Sequence, residues 1–220
     1  MVGKPMNVRQ ERRRAETRAE ILEAAWDAAR QDGLSGLTLA GVARRVGMRA
    51  PSLYSYFDSK NAVFDAMFAQ GCHQFLAGAS STAAADDPLE GLKSQIRYFI
   101  DFCTEDQIRY QLLFQRTIPG FTPSAESYAL AVRALDILRQ RLASSGIDTD
   151  RSLDLLTALT TGIVDQQISN DPGGDRWTRL ADEAVEMFFF HTRKRVQGPE
   201  AGTDGHRTGP GQGSEPHRTA

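Results

Sequence analysis

The chain has 220 residues, 40% of them hydrophobic, and a formal net charge of −2. That is enough apolar material for one or two helical domains. Two cysteines make no disulfide framework, no secretory leader is evident, and no stretch approaches the ~20 apolar residues of a membrane span. The expectation is a reduced, cytoplasmic protein.

The first sixteen residues carry Lys4, Arg9, Arg12, Arg13 and Arg14 and read as a disordered basic arm (1–16) able to lie on phosphates or reach a minor groove. Thr17-Arg18-Ala19-Glu20 then has the form of a capping box. The helix it opens places Ile21, Leu22, Ala25, Trp26 and Ala29 on one side and stops near Gly33.

Residues 38–64 are the most informative part of the chain. Thr38 can cap a short helix whose apolar face is Leu39, Val42, Ala43 and Val46. Gly47 follows the last periodic position, where a left-handed residue ends a helix. Pro51 suits the first turn of the next helix. Leu53 and Phe57 point inward, leaving Ser52, Tyr54, Ser55 and Tyr56 outside, with Arg44, Arg45, Arg49 and Lys60 around them. Helices this short do not stand alone; such a pair forms a platform that holds one helix out for insertion into a DNA major groove. Hydroxyls and cations suit phosphate oxygens, and Arg49 can make a bidentate contact to guanine.

This pattern resembles the tetracycline-repressor (TetR) family of bacterial transcription regulators. The resemblance is carried by Trp26, Gly33, Thr38-Leu39, Val42-Ala43, Val46-Gly47, Leu53-Tyr54, Tyr56-Phe57 and Ser59-Lys60, over roughly residues 17–68. It implies that residues 51–57 form the recognition helix, that Tyr54, Tyr56 and Lys60 contact the DNA backbone, and that Thr38 adds a phosphate contact. Two departures stand out: Arg49 occupies a position often held by Ser or Thr, and Gly41 one often acidic. Charge distribution agrees. Residues 1–60 carry net +4 and the remaining 160 net −6, a basic head on an acidic body.

The expected fold is all-α: a three-helix helix-turn-helix domain (17–62), then a helical-bundle regulatory and dimerisation domain (63–196). A Gly- and Pro-rich tail (197–220) is expected to be disordered, with His206 and His217 incidental. Helices are predicted over 59–78, from Pro88 through Cys103, over 108–116, over 124–145, from about Thr149 to before Asp171, and from about Asp175 to Val196. Three consecutive aromatics, Phe188-Phe189-Phe190, point about 100° apart and cannot all share one packing face. A second copy of the chain would cover the remainder, with Leu155, Ala158, Gly162 and Asp165 as the facing surface. The expected dimer interface therefore includes Leu155, Gly162, Phe188 and Phe189.

Phe99, Phe102, Cys103, Tyr110, Phe114 and Tyr128 are the candidate lining of a ligand pocket, with Gln107, Gln111 and Gln115 as scattered polar groups. Asp101 and Asp165 are the candidates for a cationic ligand. His73 beside Cys72 lacks further ligands for a metal, and no cofactor is expected. Neither a nucleophile elbow, a phosphate loop nor a zinc motif occurs, so an enzyme is not expected. The expected partners are double-stranded operator DNA, a second copy of the chain and a small-molecule effector; no membrane partner is expected. The family's common mode implies a repressor that ligand releases from DNA. The competing reading is a helical small-molecule-binding protein with little operator affinity.

Overall fold

The computed structural model describes residues 5–81, 86–147 and 150–196. Among them the chain forms nine α-helices and one 3-10 turn, with no strand.

Helix α1 spans Pro5–Gly36 and is broken at Gly33, whose φ of 75° no other residue type adopts cheaply. It starts well before the predicted cap at Thr17. Thr17 is interior, and its hydroxyl donates back to the Arg13 carbonyl at 3.0 Å. The intervening Arg, Glu, Gln and Met residues are good helix formers, and Arg12 pairs with Glu16 one turn on at 3.1 Å. From Pro5 onward, the expected disordered arm is therefore helix. Residues 1–4, Lys4 among them, and the predicted tail at 197–220 lie outside the described residues.

Helix α2, Leu39–Arg45, is capped by Thr38, whose hydroxyl oxygen accepts from the Gly41 amide at 3.1 Å. A Cβ at Gly41 would sit 3.0 Å from that oxygen, so the smallest residue suits this position. Gly47, at φ 67°, makes the turn into α3, Ala50–Leu53, with Pro51 in its first turn and no side-chain cap from Arg49. Residues 54–57 continue as hydrogen-bonded turns back onto Ser52 and Leu53. Leu53 and Phe57 are buried beneath them.

Helix α4, Lys60–Ser81, links head to body. The body adds α5 (Pro88–Glu105, capped by Asp87), α6 (Gln107–Phe114, capped by Asp106), α7 (Ala125–Ser144, capped by Ser124) and α8 (Asp150–Asn170). The last predicted helix begins later than expected, as a 3-10 turn at Thr178–Leu180 followed by α9, Ala181–Val196. The Thr149 predicted to start α8 falls outside the described residues.

Two apolar cores organise these helices. The first gathers Ile21, Trp26, Leu37, Val42, Leu53 and Phe57 of the head with Val63, Phe64, Met67, Phe68 and Cys72 of α4 and Leu112 of α6. The second joins α4, α5, α8 and α9 around Leu92, Ile96, Ile100, Leu156, Val164 and Val185. A border at residue 62 thus cuts through a single core. Phe188 and Phe189 are both buried in the second core, so neither forms the self-association surface the sequence suggests. Adjacent side chains on one helix reach it because α9 lies in the groove between α5 and α8, with an apolar neighbour on either flank. Charge pairs tie α5 to α9: Lys93 lies 2.6 Å from Glu186 and Arg97 bonds Asp182 through two nitrogens. These hydrogen bonds hold the Lys93 ammonium well above its ordinary pKa and the Asp182 carboxyl below its own.

Candidate nucleic-acid interface and internal cavity

Four of the predicted DNA-facing residues, Arg49, Ser52, Tyr54 and Ser55, are exposed along the α3 segment. Tyr54 is 55% accessible, a large aromatic left in water. Arg49 precedes α3 with an extended backbone, and none of its side-chain donors is bonded to a described residue. Thr38 is exposed, and its hydroxyl oxygen already accepts from Gly41, which leaves the proton free to donate. Ser55 instead donates to the Ser52 carbonyl at 2.7 Å. Lys60 reaches from the first turn of α4 to the Ser35 carbonyl at 3.0 Å, beside the Phe64 ring. A phosphate oxygen is a stronger acceptor than this exposed carbonyl.

Tyr56 departs from the expected arrangement. It is half-buried, with the Arg14 guanidinium 5.0 Å from its ring centroid. Sequence reasoning missed the pair responsible. Arg14 donates to the Ser55 carbonyl, and Arg18 to the Tyr56 carbonyl at 2.7 Å while covering the Phe57 ring at 4.0 Å. One turn apart on α1, these arginines satisfy the carbonyls left open where the short recognition helix ends. The available signal was their four-residue spacing, which only a helix through residue 14 makes meaningful.

The body holds a cavity of about 270 Å³, open to solvent on one side, between α4, α5, α6, α7 and α8. Of the six predicted lining residues, Phe99, Phe114 and Tyr128 are on its wall. Phe102, Cys103 and Tyr110 are not: all three are buried in the second core. The Tyr110 hydroxyl donates to Asp165 at 2.8 Å, and burial with that contact pushes its pKa up. Burial likewise keeps the Cys103 thiol neutral. The wall is completed by residues the sequence did not single out for it, among them Phe75, Gln95, Leu113, Leu135 and the α8 trio Thr157, Thr160 and Thr161. Cys72 also faces the cavity, its thiol pushed up to about 12 by burial. Asp101 and Asp165 do not line it; Asp165 receives Tyr110 and Gln115 instead. No cluster of three or more His, Cys, Asp or Glu able to hold a metal occurs among the described residues.

A third feature lies on the opposite side of α8. Ala158, Leu159 and Gly162 form a shallow apolar groove with Trp177, Leu180, Ala184 and Met187. Leu155 is exposed nearby, and Met187 and Phe190 are 68% and 58% accessible. Of the predicted interface residues, Gly162 lines this groove and Leu155 is exposed two turns before it on α8, while Phe188 and Phe189 do not line it. None of the described helices is long and apolar enough to cross a membrane.

Residues 21–67 match the family described as bacterial regulatory proteins, tetR family. Over 179 residues the chain is 25% identical to the HTH-type transcriptional activator FasR of Mycolicibacterium smegmatis, covering 79% of this chain and 80% of FasR. Its fold is similar to that of the transcriptional regulator FadR from Bacillus subtilis, solved in complex with stearoyl-CoA, with a TM-score of 0.61, 17% identity and coverage of 78% of this chain and 97% of FadR. It is also similar to the TetR-family regulator PfmR from Thermus thermophilus, with a TM-score of 0.60, 18% identity and coverage of 77% and 97%. The likenesses to FadR and PfmR are ones of fold.

Proposed function

The chain belongs to the TetR family of bacterial transcription regulators, and from that premise we propose that it is a homodimeric, ligand-responsive repressor of transcription. The observation that carries this reading is the exposed Arg49, Ser52, Tyr54 and Ser55 surface over a buried Leu53 and Phe57. Inserted into the major groove, Arg49 reads a guanine edge, while Thr38, Tyr54 and Lys60 hold phosphates. Tyr56 supports the segment from below, under Arg14. The helical start of α1 brings Arg9 and Arg13, one turn apart and exposed, alongside the same backbone as further phosphate contacts.

A second copy joins through the apolar face of α8 and α9. Leu155, Gly162, Met187 and Phe190 bury each other there in a four-helix interface, removing a patch that is unfavourable in water. Two-fold symmetry then presents two recognition segments to half-sites one helical turn or a multiple apart. A small molecule in the cavity acts through its different affinity for the two dimer geometries. Helix α4 contributes Phe75 to the cavity wall and Phe64 to the head core, so a shift of α4 on filling moves the recognition segment. Release of DNA on ligand binding follows.

The name of the relative FasR marks it as an activator, which supports a second reading in which the bound regulator recruits transcription. Fluorescence-anisotropy titration against DNA from upstream of the chain's own gene, with a scrambled duplex as control, tests operator binding. A promoter reporter with and without the protein gives the sign. Selective binding with reporter output lowered supports the repressor, and output raised supports the activator. Absence of binding to either duplex at low salt favours a small-molecule-binding protein without an operator.

A further inference from the structure

A second cavity of about 680 Å³ lies beside the first, between α6, α7 and the 115–123 connection. The two share Leu113, Phe114, Tyr128 and Ala131, which stand between them. We propose that the two join there through a neck into one site that takes a single-chain aliphatic amphiphile with an anionic head, the tail in the inner compartment and the head at Arg116 in the outer one. The proposal rests on the regulator reading and names the class of its effector.

The inner wall carries no charged side chain. Its polar groups are few, and three of them are already partnered. The Thr160 hydroxyl bonds the Leu156 carbonyl, that of Thr161 bonds Thr157, and the Gln95 carbonyl oxygen accepts from Arg141 at 3.3 Å. Cys72 is a neutral thiol. A ligand body rich in donors and acceptors would leave most of them unmet on so apolar a wall, which is costly out of water; a hydrocarbon chain has none to leave. The outer compartment differs in chemistry, since Gln115, Arg116 and Thr122 line it alongside Phe68, Ile118 and Phe121. Arg116 is exposed and makes no hydrogen bond or ion pair to a described residue. Neither compartment has an aspartate or glutamate on its wall, so a cationic ligand finds no counter-charge. Phe114 and Tyr128 at the neck are themselves partly open to water, giving the chain a way in. One apolar chamber and an unpaired cation in the chamber beside it match a molecule that is apolar along most of its length and negative at one end.

A carboxylate and the phosphates of an acyl thioester share this head chemistry. Isothermal titration calorimetry of the full chain, without DNA, with dodecanoate, dodecanoyl-CoA and neutral 1-dodecanol tests the proposal. At least one anionic chain is expected to bind with one site per protomer. Arg116→Gln weakens that binding about tenfold, as loss of an exposed charge-assisted hydrogen bond does, and leaves dodecanol unchanged. Ala131→Phe closes the neck and abolishes binding of all three. Dodecanoate alone binding identifies a free acid, dodecanoyl-CoA alone a thioester, and both the shared anionic head. Binding by neither anion overturns the proposal, as does an Arg116→Gln effect of equal size on dodecanol. Operator anisotropy measured without ligand keeps the two readings apart: intact operator binding with no chain binding removes the effector class alone.

Discussion

Replacing Gly78 with alanine on α4 is expected to destabilise the protein, although alanine is the better helix former by about 1 kcal/mol. A Cβ built at this position would overlap the Tyr98 hydroxyl oxygen and lie 2.5 and 2.6 Å from two ring carbons. The ring cannot swing away freely. Its hydroxyl donates to the Phe75 carbonyl at 3.0 Å, and its centroid lies 5.4 Å from that of Phe75 and 6.0 Å from that of Phe102. Overpacking of this kind costs ~1–3 kcal/mol, and displacing the hydroxyl forfeits about 1 kcal/mol more. The net expectation is a loss of ~1–3 kcal/mol. In a Tyr98→Ala background the obstruction is gone and the sign reverses, with Gly78→Ala adding ~0.5–1 kcal/mol. Urea unfolding followed by circular dichroism, at one fixed protein concentration, gives the four corners of the cycle and a coupling of about 1.5–4 kcal/mol. Neutral or stabilising behaviour of Gly78→Ala in the native background, or continued destabilisation in the Tyr98→Ala background, would refute the argument.

Three further outcomes are expected. Arg49→Ala relaxes discrimination at one base pair by ~1–3 kcal/mol, whereas Lys60→Ala weakens all duplexes alike and lowers the salt slope by about one; anisotropy on single-base operator variants over a salt series separates them, and unchanged sequence preference in Arg49→Ala would make that residue a phosphate or surface group. Met187→Glu places a charge in the proposed self-association face, so sedimentation velocity should show monomer while circular dichroism is unchanged; a persistent dimer would move the interface elsewhere. Burial raises the Cys72 thiol from 9.0 to about 12, so between those values the unfolded chain ionises while the folded chain keeps its proton. Stability therefore falls as pH rises through that window, and Cys72→Ala should show a shallower fall in urea midpoint, with an identical fall counting against a buried neutral thiol.

The head was legible because its signals are local. Thr38, Gly47 and Pro51 each answer a backbone requirement within a few residues, and Leu53 and Phe57 show one turn's spacing. The start of α1 was not, because Thr17-x-x-Glu20 satisfies the capping pattern in sequence while the preceding Arg and Glu residues propagate helix just as well. Cavity membership depends on which helices meet. Phe102 and Phe99 are equally aromatic, yet one is in the core and the other on the wall. The α8 threonines carry no pocket signature in the sequence; the Thr160 and Thr161 hydroxyls bond their own helix. The triple phenylalanine correctly signalled an aromatic with no room inside, but only packing of α9 decides that Phe190 is the one left out.

Asp65 on α4 receives three hydrogen bonds from the start of α7: the Ser124 amide at 2.7 Å and the Ser124 and Ser127 hydroxyls at 3.0 Å each. Together with Leu112 in the head core, this makes the reading head a poor cassette for protein engineering. A hybrid regulator spliced at residue 62 would inherit a foreign Phe64, Met67 and Phe68 beneath its recognition segment and a foreign residue opposite Ser124. A working graft has to carry α4 through Cys72 and bring its own α6 and α7 N-terminus, so the practical unit of exchange is discontinuous along the chain.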